Sequence, residues 1–108
     1  MLLNKHIDKE SIENLYESSN ILASRYNTVS QKLAIIFKGG RQYLYHDVKR
    51  TDYNEFESAS SQGKVLNSKI KNYKVDRIEE LVDTTTILEQ INFLKNKWYV
   101  DRRTKNVI

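Results

Sequence analysis

The 108-residue chain has no cysteine and no proline, and only three glycines. Without thiols it can form neither a disulfide nor a thiolate zinc site, which fits a reducing compartment. Without proline, every turn must be made with Gly, Asn, Asp or Ser. No apolar run is longer than Leu33–Phe37, so no membrane-spanning segment is expected. The N-terminus is polar from Asn4 onward and lacks the apolar stretch of a secretory signal, so a cytoplasmic location is expected. Histidine is nearly as scarce, with only His6 and His46. No nucleophile elbow, phosphate-binding Walker loop or H-E-x-x-H pattern occurs. His46 and Asp47 are neighbours that a strand would point to opposite faces. The chain is therefore not expected to be an enzyme, and no cofactor or metal is expected.

What is present is aromatic and charged: seven tyrosines, and a formal net charge of +4. The charge is laid out in blocks. Lys64, Lys69, Lys71, Lys74 and Arg77 stand against Asp76, and Lys95, Lys97, Arg102, Arg103 and Lys105 against Asp101. Thr51 to Gln62 and Ile78 to Leu94 are acidic. Such alternation suits solvated helix faces and intersubunit pairing, or a surface for an anionic ligand. The length allows one small domain with a modest core. A deep pocket would have to be built between subunits.

Along the chain, Asp8 can cap a helix through Glu17 with Ile12, Leu15 and Tyr16 on one side. Asn20 to Tyr26 alternates as a strand, and Lys32 to Lys38 is a clear one, rich in β-branched residues. Gly39-Gly40 signals a hairpin, since glycine accepts the positive φ of tight turns. A two-residue turn would pair Lys38 with Arg41 and Ile36 with Tyr43. Leu33, Ile35, Phe37 and Leu44 would then share the core face. Tyr43 and Tyr45 would lie opposite, with Ala34 and Ile36, edged by Lys38 and Arg41. Thr51 or Asp52 can cap a helix to about Ser60 that buries Tyr53 and Phe56 and stops at Gly63. Lys64 to Lys71 reads as a further short helix. Thr86 to Glu89 reads as a capping box, followed by a stripe of Ile87, Ile91, Leu94 and Trp98 and a frayed basic tail from Asp101.

The expected fold is α+β: a small antiparallel sheet around the Gly-Gly hairpin, covered by short helices, with a C-terminal amphipathic helix. The division is a helical extension over 1–17, a domain over 18–76, and a C-terminal helix with basic tail over 77–108.

The domain segment resembles the KTSC domain family, a module named from the C-terminus of some lysyl-tRNA synthetases and also found in phage proteins. The matching residues are Ser19-Asn20-Ile21, Tyr26, Leu33 to Phe37, Gly40, Tyr43-Leu44-Tyr45, Val48, Tyr53, Phe56 and Ala59, then Ser61 to Asn67, Ile70 and Tyr73. One departure is Lys49, where the family often has proline after the valine. The resemblance implies no defined chemistry beyond a suggested RNA-binding role. By analogy with small phage proteins that trap cyclic nucleotide signals, it also suggests a sequestering protein in a host bacterial cytoplasm.

These readings converge on a binding face. Tyr43 and Tyr45 can stack on bases, or pack beneath the 51–60 helix, or meet another subunit. Arg41, Lys64 and Lys69 are the candidate phosphate partners. Gly63 would let a phosphate approach the backbone at a helix start, and Asn67 would read a polar edge. The expected ligand is a cyclic nucleotide or RNA. The expected assembly is a homo-oligomer formed through the C-terminal helix.

Overall fold

The computed structural model describes the backbone of residues 1–107 and the side chains of residues 1–96. Six strands form one antiparallel sheet in chain order: β1 (Leu2–Asp8), β2 (Ser11–Tyr16), β3 (Ile21–Asn27), β4 (Leu33–Phe37), β5 (Gln42–Tyr45) and β6 (Val75–Ile78). One face is covered by α1 (Arg50–Ser58), α2 (Gln62–Ser68) and a 3-10 turn at Ile70–Asn72. On the other face lies α3 (Thr85–Val107), touching β1, β2 and β3. The expected α+β class holds.

The main core lies under α1 and α2. Ile12, Tyr16, Tyr26, Leu33, Ile35 and Tyr45 from the sheet meet Val48, Tyr53, Phe56 and Ile70. The Tyr26 and Tyr53 rings stack with centroids 4.1 Å apart, and Phe56 meets Tyr16 edge-on at 5.5 Å. A smaller cluster on the opposite face joins Leu22, Ala23 and Ile91, with Leu3, Leu15, Ile36 and Ile87 packed around them. Two irregularities in strand register supply both clusters. Between Ile21 and Ala23 one extra residue breaks the alternation, so Ile21 enters the main core while Leu22 and Ala23 face α3. A similar shift between Leu2 and Asn4 leaves Leu2 on the main core while Leu3 and Asn4 both lie on the α3 side.

The N-terminal helix expected over residues 1–17 is instead the β1–β2 hairpin, so this stretch belongs to the sheet. Burial alternates along β2, with Ile12, Asn14 and Tyr16 inside. The period of two was masked because a core position carries asparagine. β6 also lies across the expected boundary at 76 and 77; its four residues are all exposed, so it carries no apolar alternation.

Helix boundaries differ as well. α1 begins after Lys49 without a side-chain cap, and Asp52 lies within its first turn. Gly63 is not a helix stop but lies inside α2, whose cap is Ser61. The first turn of α3 is held by the Asp83 carboxylate, which accepts the Thr85 amide at 3.0 Å, rather than by a Thr86–Glu89 box. The helix runs on to Val107, so the segment from Asp101 is helical rather than frayed. Ile87 and Ile91 of the expected stripe do pack on the sheet; the Trp98 side chain lies outside the described residues.

Candidate functional site

The hairpin between β4 and β5 decides where the tyrosines go. Its loop is three residues, Lys38-Gly39-Gly40, closed by Phe37 N donating to Arg41 O at 2.8 Å and Gly40 N donating to Phe37 O at 3.0 Å. Both glycines adopt left-handed φ, +89° and +88°. Leu33 therefore pairs with Tyr45, Ile35 with Tyr43, and Ile36 with Gln42. This is one residue from the two-residue-turn register, and a slip of one exchanges the faces of a strand. The longer loop places both tyrosines among Leu33, Ile35 and Phe37 on the helix-covered face; the shorter one would have put Gln42 and Leu44 there.

Tyr45 is thus a core residue, 7% exposed, and burial raises its hydroxyl pKa. Tyr43 is half-buried and meets Phe37 edge-on at 5.5 Å. Neither ring lies open as the expected stacking platform. Arg41 shares their face by alternation but is exposed at its rim.

The remaining predicted residues lie on or beside α2. Lys64 and Asn67 are exposed, and Gly63 has nothing within 4 Å of where a Cβ would stand, so no neighbour demands glycine there. The Ser61 hydroxyl already accepts the Lys64 amide at 3.4 Å. Lys69 is ion-paired with Glu55, which raises its pKa. It borders a shallow cleft with Lys49, Asp52 and Tyr73. There the Tyr73 hydroxyl donates to the Asp52 carboxylate and accepts the Lys49 amide. No hydrogen bond or ion pair among the described residues joins the hairpin candidates to those on α2.

Beneath α1 is a polar network that the sequence reading missed. The Asn14 amide nitrogen lies 2.8 Å from Glu57 Oε2, 2.9 Å from the Tyr53 hydroxyl and 3.1 Å from the Tyr16 hydroxyl. Tyr53 donates to Glu57 at 2.7 Å, Lys5 Nζ reaches Glu57 Oε1 at 2.9 Å, and Tyr16 bonds Ser24 at 2.7 Å. Burial alone would raise the Glu57 pKa, but the bonds from Asn14, Lys5 and Tyr53 outweigh it and hold the carboxyl below its ordinary value. Burial pushes the Tyr16 hydroxyl up to about 12 and raises that of Tyr53 further still. These groups bond one another inside the core through the Asn14 nitrogen, while the buried Asn14 Oδ1 has no hydrogen-bond partner among the described residues; among those residues no cluster of His, Asp and Glu could hold a metal ion. The available signal was the i, i+4 spacing of Tyr53 and Glu57 on an amphipathic helix.

The open site is on the other face. Beside the first turns of α3 the sheet is left uncovered, forming a cleft of about 560 Å³. Its floor is apolar, made by Leu15, Ala23, Ala34 and Ile36. Around it stand Asn4, His6, Glu13, Arg25 and Gln42 from the strands, with Gln90 from α3. Cross-strand pairing aligns His6, Glu13, Arg25 and Ala34 in one row, and Asn4, Leu15, Ala23, Ile36 and Gln42 in the next. Arg25 Nη2 lies 2.6 Å from Glu13 Oε1, and both side chains are largely exposed. The site offers a flat apolar surface, three carboxamides and a guanidinium. His46, near the far edge, contacts Asp76 of β6 at 2.7 Å rather than its neighbour Asp47.

An open antiparallel sheet in chain order, with two short helices and a 3-10 turn on one face, defines a small α+β architecture. The chain belongs to the KTSC domain family, whose pattern matches residues 17–73. A curated protein of Tsukamurella paurometabola is 38% identical over 55 residues, covering 51% of this chain and 82% of its own length. The crystal structure of a KTSC domain protein from Yersinia pestis superposes with a TM-score of 0.59 at 28% identity, covering 63% of this chain and 97% of that one. No helix among the described residues is long and apolar enough to cross a membrane.

Proposed function

We propose that this protein is a non-enzymatic binder of a phosphate-bearing nucleotide ligand, and that the ligand lies on the open sheet face beside α3. The observation that carries this reading is the cleft itself, an apolar floor ringed by Arg25 and the carboxamides of Asn4, Gln42 and Gln90. Apolar side chains can lie flat against a base, carboxamides can match both donors and acceptors on its edge, and a guanidinium can bind phosphate bidentately. In its finer form, the protein is a phage product that sequesters a cyclic nucleotide signal, which requires tight binding without turnover. The net charge of +4 favours RNA as the second reading.

A thermal-shift panel of cyclic dinucleotides, mononucleotides and short RNAs, at low and moderate salt, tests both. A ligand at 100 times its dissociation constant stabilises the fold by about 2.7 kcal/mol, a rise on the order of 10 °C for a domain of this size. Arg25→Ala should weaken binding by roughly tenfold or more while leaving the melting point of the free protein nearly unchanged. A compact ligand should tolerate salt, whereas RNA spanning several phosphates should lose affinity steeply. Recovery of the nucleotide intact after long incubation would fit sequestration. If nothing on the panel moves the melting point, the protein is an interaction module with no nucleotide ligand.

A further inference from the structure

α3 carries more surface than its own sheet uses. Ile87 and Ile91 pack against the strands, and Lys95 lies 3.6 Å from Glu17 at the sheet's end. The helix then continues to Val107. On the described part, Leu88 is 40% and Phe93 66% exposed. Charge is segregated along α3 and the residues that lead into it at Thr85. Glu79, Glu80, Asp83 and Glu89 occur before Lys95 with no cation among them, and Lys95, Lys97, Arg102, Arg103 and Lys105 follow with only Asp101 against them.

We propose that α3 is a self-association element that pairs antiparallel with α3 of a second copy, about a two-fold axis at Phe93. An antiparallel pair centred there sets position 89 opposite 97, and the exposed Leu88 opposite the turn that carries Trp98, with the acidic residues before Thr85 leading in toward the other copy's C-terminal half. Each acidic lead-in then runs along the other copy's basic half, whereas a parallel pair would bring like charges together. A two-fold contact buries the same residues on both copies, so Phe93 meets Phe93 and loses most of its exposure. The cleft is not needed for this contact, so the inference stands apart from the nucleotide reading.

The absence of cysteine provides a direct test. Phe93→Cys introduces a single thiol at the axis and Val29→Cys a single thiol on a remote loop, where Val29 is 73% exposed. Under mild oxidation the first should form a disulfide dimer in high yield and the second should not. Sedimentation of the wild-type chain should show a dimer that weakens with salt. Lys97→Glu/Arg102→Glu/Arg103→Glu should raise its dissociation constant by roughly tenfold or more. Glu79→Lys/Glu80→Lys/Glu89→Lys should do the same, and an equimolar mixture of the two triple variants should restore the dimer. A wild type that remains monomeric at high micromolar concentration overturns the proposal. So does a Phe93→Cys chain that crosslinks no faster than the Val29→Cys chain, a mixture that stays monomeric, or association that requires added RNA.

Discussion

The face of the sheet under α1 and α2 is dry and crowded with aromatic rings. The face beside α3 is covered along only part of its width. Polar groups behave differently in the two places. Under α1, Asn14, Tyr16, Tyr53 and Glu57 sit in the core and bond one another, since a buried polar atom without a partner costs about 1–3 kcal/mol; Asn14 Oδ1 alone among the described side chains carries that cost. Beside α3, Arg25, Gln42 and Gln90 point their bonding capacity at a cleft that solvent can fill. Polarity inside the first face specifies packing, and polarity on the second is available to a ligand. Four of the seven tyrosines, Tyr16, Tyr26, Tyr45 and Tyr53, are core rather than surface residues.

The largest test of this asymmetry is to empty each side in turn. Phe56→Ala, at a fully buried position, should cost about 3–5 kcal/mol, whereas Ile87→Ala, half-buried on the sheet-facing side of α3, should cost about 1 kcal/mol. Urea denaturation with comparable slopes would measure both. Equal losses would show that the α3 face is as integral to the core as the α1 face.

Next in size is the polar network. Glu57→Ala removes the common acceptor of Asn14, Tyr53 and Lys5, and should cost about 3 kcal/mol. Because the folded-state pKa of Glu57 is depressed, its contribution is fully present above the ordinary carboxylate value of 4.5. It is lost as pH falls through the lower folded value. Glu57→Gln should therefore flatten the acid limb of the stability profile, measured as melting temperature against pH.

The smallest contrast lies within the hairpin loop. Both glycines need positive φ, but a Cβ at Gly40 would also collide with the Val82 carbonyl, whereas Gly39 faces open space. The same approach lets Val82 N donate to Gly40 O at 2.8 Å, tying the segment before α3 to the loop. Gly40→Ala should cost about 2–3 kcal/mol and Gly39→Ala about 1 kcal/mol, compared by thermal melts.

Much of the α1 face was legible. Leu33, Ile35, Tyr53 and Phe56 announced themselves by period and composition, and the KTSC pattern spans this core apart from Ile12 and Tyr16. The α3 face was far less so. Its cleft is assembled from β1, β2, β3, β4, β5 and α3, each contributing one to three unremarkable residues, and no local motif marks such a set. β1 and β2 were misread because Asn14 occupies an inward position that only its distant partners Tyr53 and Glu57 make tolerable.

The sequence by itself determined the α+β class, the strand-glycine-strand hairpin and the amphipathic character of α1, because these depend on residues close together in the chain. Only the tertiary structure decided which side of β5 turns inward, since period two supplies alternation without its phase. One loop residue shifts that phase, and the packing of Tyr43 and Tyr45 against Phe37, Leu33 and Ile35 selects the three-residue loop. The same choice moved the accessible surface from the tyrosine side of the sheet to the side crossed by α3.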